Sequence, residues 1–419
     1  MGDINMGRDI QENPFTPGFG EIPYIVAGRS DIINEYADII TSNGRSQKKH
    51  PLIRGMRSYG KTVLLRELLE IAKNHGYATF YISATRGMYD NLMKNMREKA
   101  EDIDVSTTFT IAPSIDISNS STGTTASVHG LSVTHTVEKT HVDKSLDSLV
   151  RCMLKSKRIN GVAVAIDEIN YGYIEDIQRI ASTMQSLVSE KLPVSFIGAG
   201  LPEYIDEIQQ DSSISFVRRM EPQEIGTIDF RELGDAIRTT CTDHDIEITK
   251  NALDYIVRAS DGSPYIAQVF AYGAYENAKK QAWKNGNVNV EITPEDCLQS
   301  FKSSLPTIFM SLVKPTLKSL TPVEQSFLRA MAKDAKDKPT SRMGNVAKRM
   351  NETPQYANIY RRRLIEKQII CTDERGYVKC LIPYMMTYLS DEERYDKLCK
   401  PAEANVNMAN KPDFWLDMI

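Results

Sequence analysis

The chain has 419 residues, more than one ordinary hydrophobic core accommodates, so two or three domains are expected. Hydrophobic residues make up 41% and charged residues 25% of the chain, as in globular proteins, and no apolar run reaches membrane length, which argues against a membrane partner. The formal net charge of −4 excludes a globally basic protein, so any nucleic-acid site has to come from local charge.

The N-terminal residues are polar and irregular. Residues 1–20 are rich in Gly and Pro, which predicts an extended lead-in rather than a helix or strand. A helix is expected over residues 31–40, with Ser30 as its N-cap.

A glycine-containing motif follows this helix. Residues 55–62 read Gly-Met-Arg-Ser-Tyr-Gly-Lys-Thr, which is the G-x-x-x-x-G-K-T pattern of a phosphate-binding loop. A short apolar run at 51–53 predicts a buried strand before the loop, and apolar residues at helical spacing predict a helix after it. In this order the glycines let backbone N–H groups turn toward a polyphosphate, and the helix N-terminus adds its positive end. The sequence therefore predicts nucleotide binding.

The last two residues of the loop have individual predicted roles. Lys61 is expected to reach the β- and γ-phosphates, and the Thr62 hydroxyl is expected to ligate Mg²⁺. The preceding segment Tyr24-Ile25-Val26 is either an apolar wall for a purine base or part of the core. The predicted nucleotide-binding residues of the loop are Gly55, Met56, Arg57, Ser58, Tyr59, Gly60, Lys61, Thr62 and Val63.

The next part of the chain interrupts the alternation of strands and helices. A strand is predicted at 78–83 and a helix at 90–101. Residues 102–142 then contain several β-branched or alternating segments, and a Ser/Thr/Gly-rich stretch separates the last two of these segments. This pattern predicts a β-rich insertion. It is either decorative or a contact element for DNA or a neighbouring subunit, and its few positive charges weaken the DNA alternative.

A continuous apolar run that ends in two acids is the second decisive pattern. Residues 161–166 lack alternation, as expected of a strand buried on both faces of a parallel sheet, and Asp167 and Glu168 follow at the end where ligands of such sheets bind. Asp167 is expected to hold the water shell of Mg²⁺, and Glu168 to polarise the attacking water. Further strands at 193–200 and 224–228 predict an α/β fold with a parallel sheet over residues 21–228.

The C-terminal half is predicted to form two smaller units and a tail. Residues 229–310 are helical and predict a lid, while residues 311–389 contain three helices and a hairpin, the plan of a winged helix-turn-helix. The basic residues of that unit suit phosphate contacts with double-stranded DNA. The alternative is a protein-docking winged helix whose basic face is only solvated. The predicted DNA-binding residues are Arg361, Arg362, Arg363, Lys367, Arg375 and Lys379. Residues 390–419 form the charged and irregular tail.

The six cysteines are scattered, without a C-x-x-C pair and without a histidine at metal spacing. Reduced thiols in a cytoplasmic protein are therefore expected, and a zinc site is not.

Taken in order, these parts resemble the AAA+ and STAND-type P-loop ATPases, in particular prokaryotic ATP-binding proteins related to origin-recognition initiators and the archaeal ATPase group. The resemblance spans about residues 13–389. The motifs that carry it are Asn13-Pro14-Phe15, Gly28-Arg29, the loop from Gly55 to Thr62 as Walker A, Ala165-Ile166-Asp167-Glu168 as Walker B, and Gly262-Ser263-Pro264, which is similar to the G-x-P turn of STAND lids.

The resemblance implies ATP or ADP with Mg²⁺ as ligands, and contacts to the nucleotide from Ile25, Val26, Gly28, Arg29, Pro264 and Tyr265. It also implies a role for Arg218 and Arg219, which stand where an arginine finger acts on a neighbour's nucleotide, although a structural salt bridge would equally explain them. Two features depart from the AAA+ pattern: residues 262–268 contain no Arg, and residues 196–201 offer no obvious polar side chain at a strand tip. Slow or assembly-dependent hydrolysis is therefore expected.

Two functions follow from this reading. In the first function, Mg-ATP controls a winged helix that binds DNA and also controls assembly, for which a homo-oligomer is one alternative. In the second, the chain is a STAND-type signalling or defence switch that regulates a protein partner, and the winged helix serves autoinhibition or docking.

Overall fold

The computed structural model describes residues 12–18, 20–42, 46–102, 145–212, 214–287, 289–335 and 339–399. The predicted β-rich insertion, apart from residue 102, lies outside the described residues, as do residues 1–11 of the lead-in and 400–419 of the tail. In the described part, no helix combines the length and the apolar character needed to cross a bilayer.

The centre of the molecule is a five-stranded sheet in which every pair of neighbours is parallel, as predicted. Its strands are β1 (Leu52–Arg54), β2 (Tyr77–Ser83), β3 (Gly161–Ile169), β4 (Val194–Gly200) and β5 (Pro222–Glu224). The spatial order is β2-β3-β4-β1-β5, so each connection crosses over the sheet.

The last strand of the sheet lies earlier in the chain than predicted. We expected residues 224–228, but β5 ends at Glu224. The apolar residues that suggested a strand are buried elsewhere: Ile225 against Gly55 of the phosphate loop, and Ile228 against Gly28 and Gly262. These residues are apolar because they are buried in a loop between two units, and their apolar pattern led to the wrong prediction of a strand.

Helices cover both faces of the sheet. They are α1 (Ser30–Thr41), α2 (Lys61–Asn74), α3 (Met88–Asp102), α4 (Leu146–Lys155), α5 (Ile174–Ser189), α6 (Pro202–Gln210) and α7 (Ser215–Arg218). β3 shows why its sequence does not alternate: Ala163 and Ala165 pack with α1 and α2, while Val162 and Val164 pack with α3, α4 and α5.

A helical unit, which the sequence predicts to be a lid and which is called the lid here, follows the sheet. It contains α8 (Phe230–Asp243), α9 (Lys250–Ala259), α10 (Pro264–Lys284) and α11 (Pro294–Ile308), with a short parallel pair of β6 (Glu247–Ile248) and β7 (Glu291–Ile292). The helical run does not end at residue 310, the predicted end of the lid. The chain stays helical through a π-helical turn at Phe309–Val313 and α12 (Lys314–Lys318), because the apolar residues on both sides of Pro306 remain fully buried. The predicted boundary between residues 310 and 311 thus falls inside a helical run.

The C-terminal unit, defined here as residues 322–398, contains the three helices and the hairpin that the sequence predicts. Its elements are α13 (Pro322–Asp334), β8 (Thr340–Arg342), α14 (Met343–Met350), α15 (Pro354–Glu366), β9 (Ile370–Thr372), β10 (Tyr377–Cys380), α16 (Met385–Ser390) and α17 (Glu392–Leu398). The sequence did not predict β8, which pairs with β10 and makes a three-stranded antiparallel sheet in the order β8-β10-β9. It also did not predict the two helices after residue 384. A capping box between Thr321 and Glu324 starts α13.

Candidate nucleotide-binding site

The phosphate loop leaves the C-terminal end of β1 and enters the N-terminus of α2. Its backbone requires glycine at two positions. A Cβ on Gly55 would lie 2.6 Å from the carbonyl oxygen of Ile225, and Gly60, the N-cap of α2, has φ 83°. Of the other loop residues, Met56 and Tyr59 are buried, Ser58, Lys61, Thr62 and Val63 are half-buried, and Arg57 is exposed.

Lys61 lies across its own loop. Its Nζ donates to the backbone oxygen of Met56 at 2.9 Å. Burial lowers the pKa of this ammonium group to about 8, and the nearby carboxylate of Asp167 opposes the shift. The site therefore holds a desolvated cation, and a negatively charged ligand would stabilise its charged form.

Asp167 is held by three hydrogen bonds. Its Oδ2 accepts from the Thr62 hydroxyl at 2.6 Å and from the Tyr81 hydroxyl at 3.0 Å, and its Oδ1 accepts from the backbone N–H of Glu168 at 2.8 Å. The fold thus joins Thr62 and Asp167, which are 105 residues apart and were predicted as magnesium ligands. A hydroxyl and a carboxylate are hard oxygen donors of the kind that Mg²⁺ prefers, so these residues fit that ion.

Glu168 differs from its neighbours in both exposure and backbone. It is the exposed residue of β3, directly after the buried Asp167. Its φ of 55° is in the left-handed region, and the pairing of β3 with β4 shifts register between Ile166 and Ile169. Such an irregularity turns one side chain away from the direction that a regular strand would impose, at a cost in backbone strain.

The Gly28-Arg29 segment braces the loop from outside. The Arg29 guanidinium donates to the carbonyl oxygens of Tyr59 at 3.4 Å, Gly226 at 2.5 Å and Gly28 at 2.9 Å. Burial lowers the pKa of Arg29. Arg29 therefore links its own segment to the loop and to the segment after β5.

The residues just before Arg29 are only partly enclosed. Ile25 and Val26 are half-buried. Tyr24 is half exposed, its hydroxyl lies 3.0 Å from Asp243 and its ring packs edge-on against His244. Tyr24 thus contacts the C-terminal end of α8 in the lid, and its part in a base-binding wall stays a prediction.

The G-x-P turn brings the lid to the loop. The Ser263 hydroxyl is 3.4 Å from the carbonyl oxygen of Ser58, and Pro264 Cγ is 3.7 Å from where a Cβ on Gly60 would lie. Gly262 has φ 71° and approaches the Ile228 carbonyl so closely that a Cβ would come within 2.9 Å of it. Tyr265, the next predicted contact, has its hydroxyl 3.4 Å from that of Ser311.

Arg218 and Arg219 lie away from this site. Both are exposed, at the end of α7 and just before β5 begins. They are thus at the N-terminal edge of a parallel sheet whose C-terminal edge carries the phosphate loop. They do not join the nucleotide site of their own chain.

The six predicted DNA-binding residues separate into two groups. Arg362, Arg363 and Arg375 are exposed. The other three face partners within the chain, listed here with the contact of each: Arg361 donates to the Thr372 hydroxyl at 2.8 Å, Lys367 lies 3.2 Å from Glu324 and 4.0 Å from Glu203, and Lys379 lies near Asp261, where its charge opposes the rise in the Asp261 pKa that burial causes.

The sequence analysis missed two tyrosine contacts at the site. Tyr81 holds Asp167, and the Tyr59 hydroxyl donates to the backbone oxygen of Leu381 in the C-terminal unit at 2.6 Å. No local sequence pattern predicts either contact. The second contact joins residues that are 322 positions apart.

Comparison with known proteins identifies the fold. Residues 310–389 match the model of a domain of unknown function (DUF8462). A search of curated protein sequences finds no match. The structure is similar to that of the ORC2 protein of Aeropyrum pernix, solved as ADPNP-ADP complexes, with a TM-score of 0.58 and 15% identity over 91% of this chain and 96% of that one. It is also similar to a Walker-type ATPase of Pyrococcus abyssi, with a TM-score of 0.56 and 15% identity over 87% of this chain and 96% of that one. The chain therefore has a fold similar to that of these two proteins.

Proposed function

We propose that the chain binds Mg-ATP and hydrolyses it to ADP and phosphate. The observation that carries this proposal is the convergence of the Lys61 ammonium group, the Thr62 hydroxyl and the Asp167 carboxylate at the C-terminal edge of the sheet, with Glu168 exposed beside them. The two neighbours of similar fold, an ADPNP-ADP complex and a Walker-type ATPase, support it.

Each residue of the site has a part in this chemistry. Backbone N–H groups of the loop and the N-terminus of α2 bind the phosphates, and Lys61 exchanges the Met56 carbonyl for a phosphate oxygen. Thr62 and Asp167 hold Mg²⁺, which when bound neutralises charge on the β- and γ-phosphates. Glu168 orients the attacking water and accepts its proton.

Hydrolysis by this site depends on assembly. Residues 262–268 of the lid contain no Arg, so the lid itself supplies no guanidinium to the γ-phosphate. Arg218 or Arg219, exposed at the opposite edge of the sheet, supplies it to the nucleotide of a second copy.

The C-terminal unit is the part of the chain that the ATPase controls. Its first candidate ligand is double-stranded DNA. We take the unit as a winged helix, with α15 as the helix that enters the major groove and the turn between β9 and β10 as the wing. Arg362, Arg363 and Arg375 are exposed on these two elements and suit phosphate contacts.

Replacing Arg362 and Arg363 by Ala is expected to weaken duplex binding about tenfold for all sequences alike and to lower the slope of log K against log salt by about 2, because each Arg neutralises one phosphate. The measurement is a salt titration of duplex binding by fluorescence anisotropy with ATP present. The Lys280→Ala, Lys284→Ala double variant removes equal charge from the exposed face of α10 and should bind as the wild type does. Equal losses in both variants, or a wild type that does not bind duplex at low salt with ATP, would exclude this role.

A second function, a nucleotide-dependent switch acting on a protein partner, is favoured by the way the C-terminal unit contacts the ATPase domain and the lid. Tyr59 of the phosphate loop is 3% exposed and donates to Leu381. Gln368 donates to Glu224 at 2.8 Å. The Tyr384 hydroxyl donates to the carbonyl oxygen of Ala259, and the Tyr384 ring packs against Phe270 and Phe301 of the lid. Lys367 and Lys379, which are among the predicted DNA-binding residues, lie near acidic side chains of the same chain.

Tyr59→Phe is expected to loosen this contact. The change removes one buried hydrogen bond and leaves the Leu381 carbonyl without it, so docking should weaken about fivefold. Hydrogen exchange over residues 377–382 should quicken by that factor in the ADP state. Tyr356→Phe is the matched control, because it also removes a hydroxyl contact of the C-terminal unit, to Tyr360 at 3.3 Å, away from the loop. Unchanged exchange in Tyr59→Phe would contradict a switch built on this contact.

The native mass of the purified chain and the identity of its bound nucleotide separate the two functions. A monomer that retains ADP supports the switch. A nucleotide-free chain that assembles on ATP and binds duplex supports the DNA function.

A further inference from the structure

We infer that Tyr81 is a positioning residue that orients the Asp167 carboxylate for magnesium. This inference rests on the proposed function, which assigns Asp167 to the metal, and it deepens that function by naming a residue outside the two nucleotide motifs. Tyr81 does not belong to Walker A or Walker B. It lies on β2, the strand that forms the edge of the sheet next to β3.

The parallel register places Tyr81 beside the acid. Ala165 pairs with Tyr81 and Asp167 with Ser83, so the Tyr81 side chain needs to reach only two residues along β3. Its hydroxyl donates to Asp167 Oδ2 at 3.0 Å, the same oxygen that accepts from Thr62 at 2.6 Å. Three donors from three elements, α2, β2 and the backbone of β3, therefore set the plane of one carboxylate.

The ring of Tyr81 is itself held by the helix that carries Thr62. The Arg66 guanidinium carbon lies 4.9 Å from the centroid of the Tyr81 ring. Arg66 follows Thr62 by four residues, so both stand on one face of α2. The helix thus contacts Asp167 directly through Thr62 and indirectly through Arg66 and Tyr81. A movement of α2 when phosphates fill the loop would act on the metal-binding carboxylate through both contacts.

Hydrogen bonds of this kind matter because a carboxylate that ligates a metal, directly or through water, must be held in one orientation. Loss of an outer-shell partner commonly lowers metal affinity about tenfold or more. The phenol of Tyr81 can only donate to an ionised carboxylate, so the hydrogen bond at 3.0 Å restrains the orientation of the Asp167 carboxylate.

The same strand contains a matched control. Tyr77 lies four residues before Tyr81, on the same face of β2, and its hydroxyl is buried without a hydrogen-bond partner among the described residues. Tyr77→Phe and Tyr81→Phe therefore make the same chemical change, one at a hydroxyl without a partner and one at the hydroxyl on Asp167. In both variants the ring and its cation contact, from Lys49 and from Arg66 respectively, are preserved.

The test measures the affinity of the full chain for a non-hydrolysable ATP analogue, first in EDTA and then over a Mg²⁺ titration. For Tyr81→Phe we expect the Mg²⁺ concentration at half-maximal enhancement to rise about tenfold, with the affinity in EDTA unchanged within about twofold. Tyr77→Phe should match the wild type in both. Thermal unfolding of each variant verifies that the fold is retained.

The outcomes separate this inference from the proposed function. A wild-type Mg²⁺ midpoint in Tyr81→Phe, or an equal loss of affinity in EDTA and in Mg²⁺, overturns the positioning role. A wild type whose affinity for the analogue does not respond to Mg²⁺ contradicts the metal site itself, whatever Tyr81→Phe does.

Discussion

Lys61→Ala is expected to abolish nucleotide binding. The side chain is the cation of the loop, and two charge-assisted contacts to phosphates are worth about 3 kcal/mol or more, a loss of at least about 100-fold in affinity. Isothermal titration with ATP and with ADP measures it. Lys73→Ala is the matched control, since Lys73 is an exposed lysine at the end of the same helix, paired with Glu70. ATP affinity near that of the wild type in Lys61→Ala would contradict the assigned role.

The stability of this variant gives a second expectation. Burial lowers the Lys61 pKa from its ordinary 10.5 to about 8 in the ligand-free chain, so between these pH values the unfolded chain binds more protons than the folded one. Stability contributed by this group therefore rises with pH across that window, and the protonated lysine destabilises the folded chain below it. Removing it should not lower the melting temperature of the ligand-free protein at neutral pH. Loss of binding together with an unchanged or raised melting temperature shows that the effect is local.

Glu168→Gln is expected to bind ATP as the wild type does and to lose hydrolysis. Gln preserves the size and hydrogen-bonding shape of the side chain, and it leaves Thr62 and Asp167 in place, but it cannot accept a proton from water. General base catalysis contributes about 100-fold or more, so kcat should fall by at least that factor while the affinity for ATP stays within a few-fold. Phosphate release under saturating ATP measures kcat.

The assay for Glu168→Gln is made over a range of protein concentrations, because hydrolysis is proposed to depend on a second copy. Glu175→Gln, an exposed glutamate at the start of α5, is the control and should turn over normally. Full turnover in Glu168→Gln would refute the role of that carboxylate. If the turnover number of the wild type does not change with protein concentration, that result would argue against an arginine finger from a neighbour.

Local patterns alone predicted the motifs of the site. The glycines of the phosphate loop are dictated by backbone demands, here the close approach of Ile225 to Gly55 and the positive φ of Gly60. β3 had to be a buried central strand because its apolar run does not alternate. Since parallel strands end at a common edge, these two facts also predicted that Thr62 and Asp167 meet, as they do at 2.6 Å.

Only the tertiary structure determined the contacts that have no local sequence pattern. Ile225 and Ile228 are apolar because they are buried in a loop, although their pattern predicted a strand. Burial around Pro306 keeps the chain helical across residue 310, where the sequence predicted the end of the lid. Tyr81 became the partner of Asp167 because of strand register, while Tyr77, the same residue on the same face, has no partner for its hydroxyl among the described residues. Tyr59 met Leu381 because the C-terminal unit packs on the loop. Periodicity and dihedral preference are properties of neighbouring residues, whereas these contacts depend on how distant elements pack.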